Sequence, residues 1–174
     1  MSTLSFDFAA RGTADLSPCG RYRYRLTRNL TGSGMPLLFV MLNPSTADAN
    51  VDDPTIRRCI GFGERMGRSA IHVLNLFSFR TPYPDVLRDA HKSGVDIVGP
   101  RGNDVLDALA GTVVCAWGPP KWPFVRERAM AVAERIIARG LPIFCLGTSK
   151  DGSPRHPLML RGDAALQPWD WRSM

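Results

Sequence analysis

Histidine is scarce in this sequence, with three in 174 residues. The four cysteines, Cys19, Cys59, Cys115 and Cys145, include no C-x-x-C pair, which argues against a zinc site or an iron–sulfur cluster. The apolar runs, of which Leu37–Leu42 is typical, are strand-sized and far too short to cross a bilayer. G-x-S-x-G, H-E-x-x-H and Walker loops are all missing, which sets aside the best-known hydrolase, metalloprotease and nucleotide-binding signatures. Met1-Ser2-Thr3-Leu4 carries no basic segment leading into an apolar one, so no secretory leader and a cytoplasmic location are expected. In a reducing compartment, Cys115 and Cys145, inside apolar runs, read as small buried hydrophobes. Neither repeats nor low-complexity segments occur.

The length suits a single domain over residues 1–174 with its core at about 20–160, and the 44% hydrophobic and 22% charged content is that of a soluble globular protein. Basic residues outnumber acidic ones by 22 to 16, giving a net charge of +6, and a surface of that sign favours polyanions such as nucleic acid.

Apolar runs alternate with helical patterns. The pattern predicts strands over Arg21–Leu26, Leu37–Leu42, Ala70–Leu76, Thr112–Trp117 and Pro142–Leu146. It predicts helices over Pro54–Met66, Asn103–Ala110 and Pro123–Arg139, and a short one over Pro84–Lys92 inside a long loop from Phe77 to Gly102. Asp53 caps the first helix, with Pro54 at its first position, and Gly67 ends it. This alternation is that of an α/β fold, with helices on both sides of a mainly parallel central sheet. Such sheets bind ligands outside the carboxyl ends of their strands, so the residues following each apolar run are the candidates.

The strand ends carry distinctive residues. The first is Asn43-Pro44-Ser45-Thr46-Ala47-Asp48, either a capped turn or an uncharged hydrogen-bonding site. In Leu74-Asn75-Leu76, Asn75 interrupts an apolar strand; its amide must find partners, either in a neighbouring loop or on a ligand with an amide-like edge. Cys115-Ala116-Trp117-Gly118-Pro119-Pro120 makes a sharp exit, with Trp117 read first as core. The last run leads to Arg155-His156-Pro157-Leu158-Met159-Leu160, where a loop histidine can donate or accept near neutral pH, or simply be solvated. Asp52-Asp53 reads first as helix capping and only weakly as a metal site.

In this order the ends resemble motifs of the uracil-DNA glycosylase superfamily. The strand running into Asn43-Pro44 looks like the G-I-N-P-G motif of the mismatch-specific and thymine-DNA branch. Val73-Leu74-Asn75-Leu76-Phe77 is similar to the L-L-L-N strand, Val113–Gly118 to the apolar strand ending in W-G, and His156-Pro157-Leu158 to the start of the H-P-S-P-L loop. The chain more closely resembles, roughly from Tyr22 to Leu160, a bacterial family of unassigned function with L-N-P-S-T-A, D-D-P-T, N-L-F and H-P-L motifs.

The resemblance implies a three-layer glycosylase-like fold and excision of uracil or a related deaminated base from DNA, by a monomer needing no metal, cofactor or membrane. Asn43 and His156 would be catalytic, the first positioning water and the second stabilising the leaving base. Asp48, Asp52 or Asp53, the last the first choice, would supply a carboxylate that Asn43 lacks. The most active uracil enzymes have aspartate where Asn43 stands, which implies a slower or broader activity here. Asn75, Pro44, Ser45 and Phe77 would contact the base, with Phe79 the alternative aromatic to stack on it, and Arg155, Pro157, Leu158, Leu160 and Arg80 the DNA, with Leu158 or Leu160 as a wedge. Arg21, Arg23, Arg25, Arg57 and Arg58 are equally readable as phosphate contacts or solvated surface. The rival readings are an enzyme acting on free nucleotides or modified bases, and a non-catalytic nucleic-acid-binding module.

Overall fold

Strand β3 (Leu37–Met41) is buried along its whole length, and its side chains feed two different cores. Leu38 and Val40 point to one face of the sheet; Leu37, Phe39 and Met41 point to the other. A strand covered on both faces requires a continuous apolar run rather than alternation, which is what Leu37–Leu42 supplies. The computed structural model describes residues 11–174. The reading of Met1–Leu4 lies outside the described residues.

Seven strands form one sheet in the order β1-β2-β4-β3-β5-β6-β7. The inner four are β4 (Ala70–Asn75), β3, β5 (Thr112–Cys115) and β6 (Ile143–Cys145), all parallel. The expected mainly parallel sheet needs correction at its margins. On one side β2 (Arg23–Asn29) and β1 (Gly12–Leu16) are antiparallel, and on the other so is β7 (Gln167–Pro168). The half-exposed edge strand β1 and the two-residue β7 carry too little apolar pattern to be seen in the sequence.

The helices divide between the faces. Helix α1 (Pro54–Arg65) buries Ile56, Cys59 and Phe62 in one core. Asp53 caps it, accepting from the Ile56 N–H at 2.9 Å, and Pro54 takes the first position as expected. Gly63 lets the helix close onto the sheet, since a Cβ there would lie 2.6 Å from Leu30 and 2.8 Å from Ile71. Helices α2 (Pro84–Lys92), α3 (Gly102–Asp107) and α4 (Pro123–Ala138) bury Leu87, Leu106 and Ala129, among others, in the opposite core. Cys59, Cys115 and Cys145 are buried free thiols.

The connections fix where a crevice can open. The chain leaves β3 towards the α1 face, whereas from β4 and from β5 it turns to the α2–α4 face. The carboxyl end of β3 is therefore a topological switch point. Register aligns its neighbours: Met41 pairs with Asn75, and Val40 with Cys115, so Asn43, Asn75 and Trp117 emerge at one edge of the sheet.

Candidate functional site

A cavity of about 250 Å³ opens at this switch point. It falls just below the roughly 300–1,000 Å³ typical of sites for drug-sized ligands, so it suits something about as large as one ring system. Asn43, Ser45, Asp53, Asn75 and His156 all line it, although they come from separate parts of the chain.

Asn43 follows β3 directly. Its Nδ2 donates to the carbonyls of Pro44 at 3.0 Å and Thr81 at 2.8 Å. Carbonyl partners can only accept, so they fix the amide orientation and leave Oδ1 as an acceptor. The Thr81 N–H returns a bond to the Pro44 carbonyl at 2.9 Å. Pro44 thus serves through its backbone, stapling the β3 end to the loop after β4, and is not itself a wall of the cavity.

Asn75 ends β4 and is 5% exposed. Its Oδ1 is buried without a hydrogen-bond partner among the described residues. A buried partnerless amide costs about 1–3 kcal/mol. The neighbouring-loop partners that the sequence allowed for are not there, and the amide is left to the cavity.

His156 has its tautomer set by the backbone. The Leu158 N–H donates to Nδ1 at 3.3 Å, so the proton of the neutral ring sits on Nε2. Burial holds the ring's pKa below its usual value, with Asp53 partly opposing that shift. His156 is therefore a neutral Nε2–H donor at neutral pH. Asp53 combines the expected cap with a place in the cavity wall; its Oδ1 takes the Ile56 N–H.

Other expected residues lie elsewhere. Phe77 is 3% exposed and packs in the α2–α4 core against Phe124, ring centres 5.7 Å apart, so it does not face a base. Leu160 is buried against the α1 core and cannot act as an exposed wedge, whereas Leu158 and its neighbour Met159 are 49% and 66% exposed. Pro157 is buried too, its carbonyl accepting from Arg58 Nε at 3.4 Å. Arg58 also donates to the Leu160 carbonyl, so it ties the His156 loop to α1 instead of facing outward. Arg57 is bound to the Asp52 carbonyl at 2.6 Å. Arg155 is exposed. Arg80 lines a separate shallow hollow with Ser45 and Thr46, outside the main cavity.

Trp117 and Arg23 are among the cavity residues that the sequence does not mark as such. Trp117 lines the cavity with its Nε1 buried and partnerless, while its ring meets Trp169 edge-on at 5.2 Å. Arg23, read above as a phosphate contact or solvated, is 3% exposed and forms part of the wall. Its Nη1 donates to the Ala47 carbonyl at 2.7 Å and its Nε has no partner. Burial pushes its pKa down to about 10, with Asp53 opposing, so it remains charged at neutral pH. An alternating Arg-Tyr strand gives no sign of which arginine turns inward.

Residues 23–158 match the family described as protein of unknown function (DUF1643). No curated protein and no solved structure gives a significant match.

Proposed function

The chain belongs to the DUF1643 family, whose matched segment contains Asn43, Asn75 and His156, and we propose that it hydrolyses the N-glycosidic bond of uracil or a related deaminated base in DNA. One observation carries this reading: Asn43 and Asn75, at two neighbouring strand ends, and His156, on the loop that follows β6, line a single cavity sized for one ring system. The proposal includes a glycosylase-like version of the α/β fold, with the cavity at the β3 switch point in keeping with it.

The roles follow from the free groups. Asn43 Oδ1 accepts from the attacking water. The Asn75 amide offers a donor and an acceptor to an imide edge. The Nε2–H of His156 donates to a base carbonyl, where negative charge grows as the bond to the sugar breaks. Asp53 supplies the nearby negative charge that favours a cationic sugar. Leu158 and Met159, exposed beside the His156 loop, fill the space a flipped nucleotide leaves.

The test is incubation with single- and double-stranded oligonucleotides containing uracil, hypoxanthine or xanthine, followed by alkali cleavage of abasic sites. Wild type should cleave at least one of them. His156→Ala and Asn43→Ala should each slow it roughly 100-fold, the scale of losing one charge-stabilising group. The absence of product on every substrate would reject the reading, and turnover of free nucleotides alone would move it to the nucleotide-level alternative.

A further inference from the structure

We propose that the cavity takes an acidic heterocycle, a ring whose N–H is flanked by carbonyl groups, and holds it as an anion on the Nε/Nη2 edge of Arg23. The inference rests on reading the cavity as a base site and specifies which bases it prefers.

One edge of the Arg23 guanidinium is engaged and the other is not. Ala47 occupies Nη1, on the far side of the guanidinium. Nε–H and the adjacent Nη2–H point the same way and form a fork that matches two coplanar acceptors. The Nε of this fork is buried and partnerless in a side chain that is 3% exposed. Asp53 acts on Arg23 through space but makes no ion pair with it. The positive charge is thus desolvated without a contacting counter-charge, a state that a bound anion relieves.

The remaining free groups restrict what that anion can be. His156 presents an N–H, and Trp117 Nε1 is a buried donor without a partner. With the Arg23 fork these donors suit the electron-rich edge of a ligand, while Asn43 Oδ1 and the Asp53 carboxylate are acceptors in the same wall. Yet Asn75 Oδ1 is a buried, partnerless acceptor and requires a donor in return. Sulfate and simple carboxylates, ionised at neutral pH, have no such donor. An imide-containing ring that has lost one proton has both: its charge spreads over a ring nitrogen and the adjacent oxygen, two coplanar acceptors, and a second N–H remains.

Calorimetric titration of the full chain near neutral pH tests this with uracil, which is neutral there, and 5-nitrouracil, which is the same ring already ionised. Binding of 5-nitrouracil should be about ten-fold tighter, or about 1.4 kcal/mol. The advantage should vanish at a pH low enough to protonate it, and excess sulfate should not displace it. Arg23→Met should abolish the preference, and Arg23→Lys, which keeps charge without the fork, should retain part of it. Equal affinity of wild type for the two rings, no binding of either, displacement by sulfate, or an intact preference in Arg23→Met would overturn the proposal. The wild-type measurements decide it even if Arg23→Met does not fold. Because no strand is cleaved, a protein that prefers the anion but releases no base from any oligonucleotide would reject hydrolysis alone. Base release without the preference would reject only the anion site.

Discussion

Arg28 Nε donates to Asp52 Oδ1 at 2.7 Å, with both side chains buried. The same guanidinium reaches the backbone carbonyls of Thr27 and Asp48, so a β2 residue holds the loop that leads into α1 and carries Asp53. Removing one partner of a buried pair leaves the other charge uncompensated. Asp52→Ala should lower the unfolding free energy by about 3 kcal/mol in urea denaturation. Activity should fall with it, because the Asp53 cap loses its support. A stability change under 1 kcal/mol would show that the pair does not organise this loop.

Asn43→Asp is the substitution that the resemblance would favour, and the structure argues against it. Both carbonyls now served by Nδ2 would face a carboxylate oxygen. The variant should be destabilised by about 1–3 kcal/mol, as when a bonded buried group loses its partner, and should be no faster than wild type. Thermal denaturation and the oligonucleotide assay measure the two effects. A faster Asn43→Asp enzyme would refute the assigned orientation of the amide.

Asn75→Leu separates function from stability. The native amide has a buried oxygen with no partner, so an apolar side chain of similar size should leave the melting temperature unchanged or raise it. Base release should nevertheless fall by roughly 100-fold or more, as expected for a site that reads a polar edge and loses its complement. A marked drop in melting temperature would mean that Asn75 serves the fold.

His156 gives a pH dependence of definite sign. Its folded pKa lies below the usual value of about 6.5, chiefly through burial. The stability contributed by the neutral ring is complete above about 6.5 and declines as the pH falls towards the folded value, since the unfolded chain binds the proton first. His72 in β4, also depressed by burial, adds a decline in the same direction. The His156 ring should titrate by NMR with a midpoint below 6.5, and activity should persist down to that midpoint. A midpoint at or above 6.5 would remove the neutral donor from its role.

Leu158 and Leu160 should behave as opposites. Leu160→Ala should cost about 2–5 kcal/mol, because a buried side chain is lost from the α1 core. Leu158→Ala should change stability by no more than about 0.5 kcal/mol while slowing cleavage of double-stranded more than of single-stranded substrate. Equal effects on both substrates would rule out a wedge at this position.

The parts of the fold governed by local pattern were legible in the sequence. The β3 run, the Asp53-Pro54 start of α1, the Pro84–Lys92 helix and the Pro123 start of α4 all stand where periodicity and capping put them. The strand-end rule also brought Asn43, Asn75 and His156 to one place. What escaped depends on non-local contacts. The burial of Arg23 is set by the Ala47 carbonyl arriving from the next loop, and no property of the Arg21–Arg25 alternation encodes it. Phe77 and Leu160 sit beside motif residues but turn into the two cores, and along a loop sequence alone does not say which way a side chain turns.

The cavity walls begin at Arg23 and end at His156, and each intervening wall arrives on its own strand or loop. Contacts of such sequence separation form late, after the loop-closure entropy of the whole sheet has been overcome. A partly folded chain, or one in which β4 slips by a single residue and turns Asn75 to the opposite face, therefore has no vestigial site. On the proposed reading, competence for binding is tied to completion of the sheet, so a nascent or damaged copy should be silent instead of weakly active.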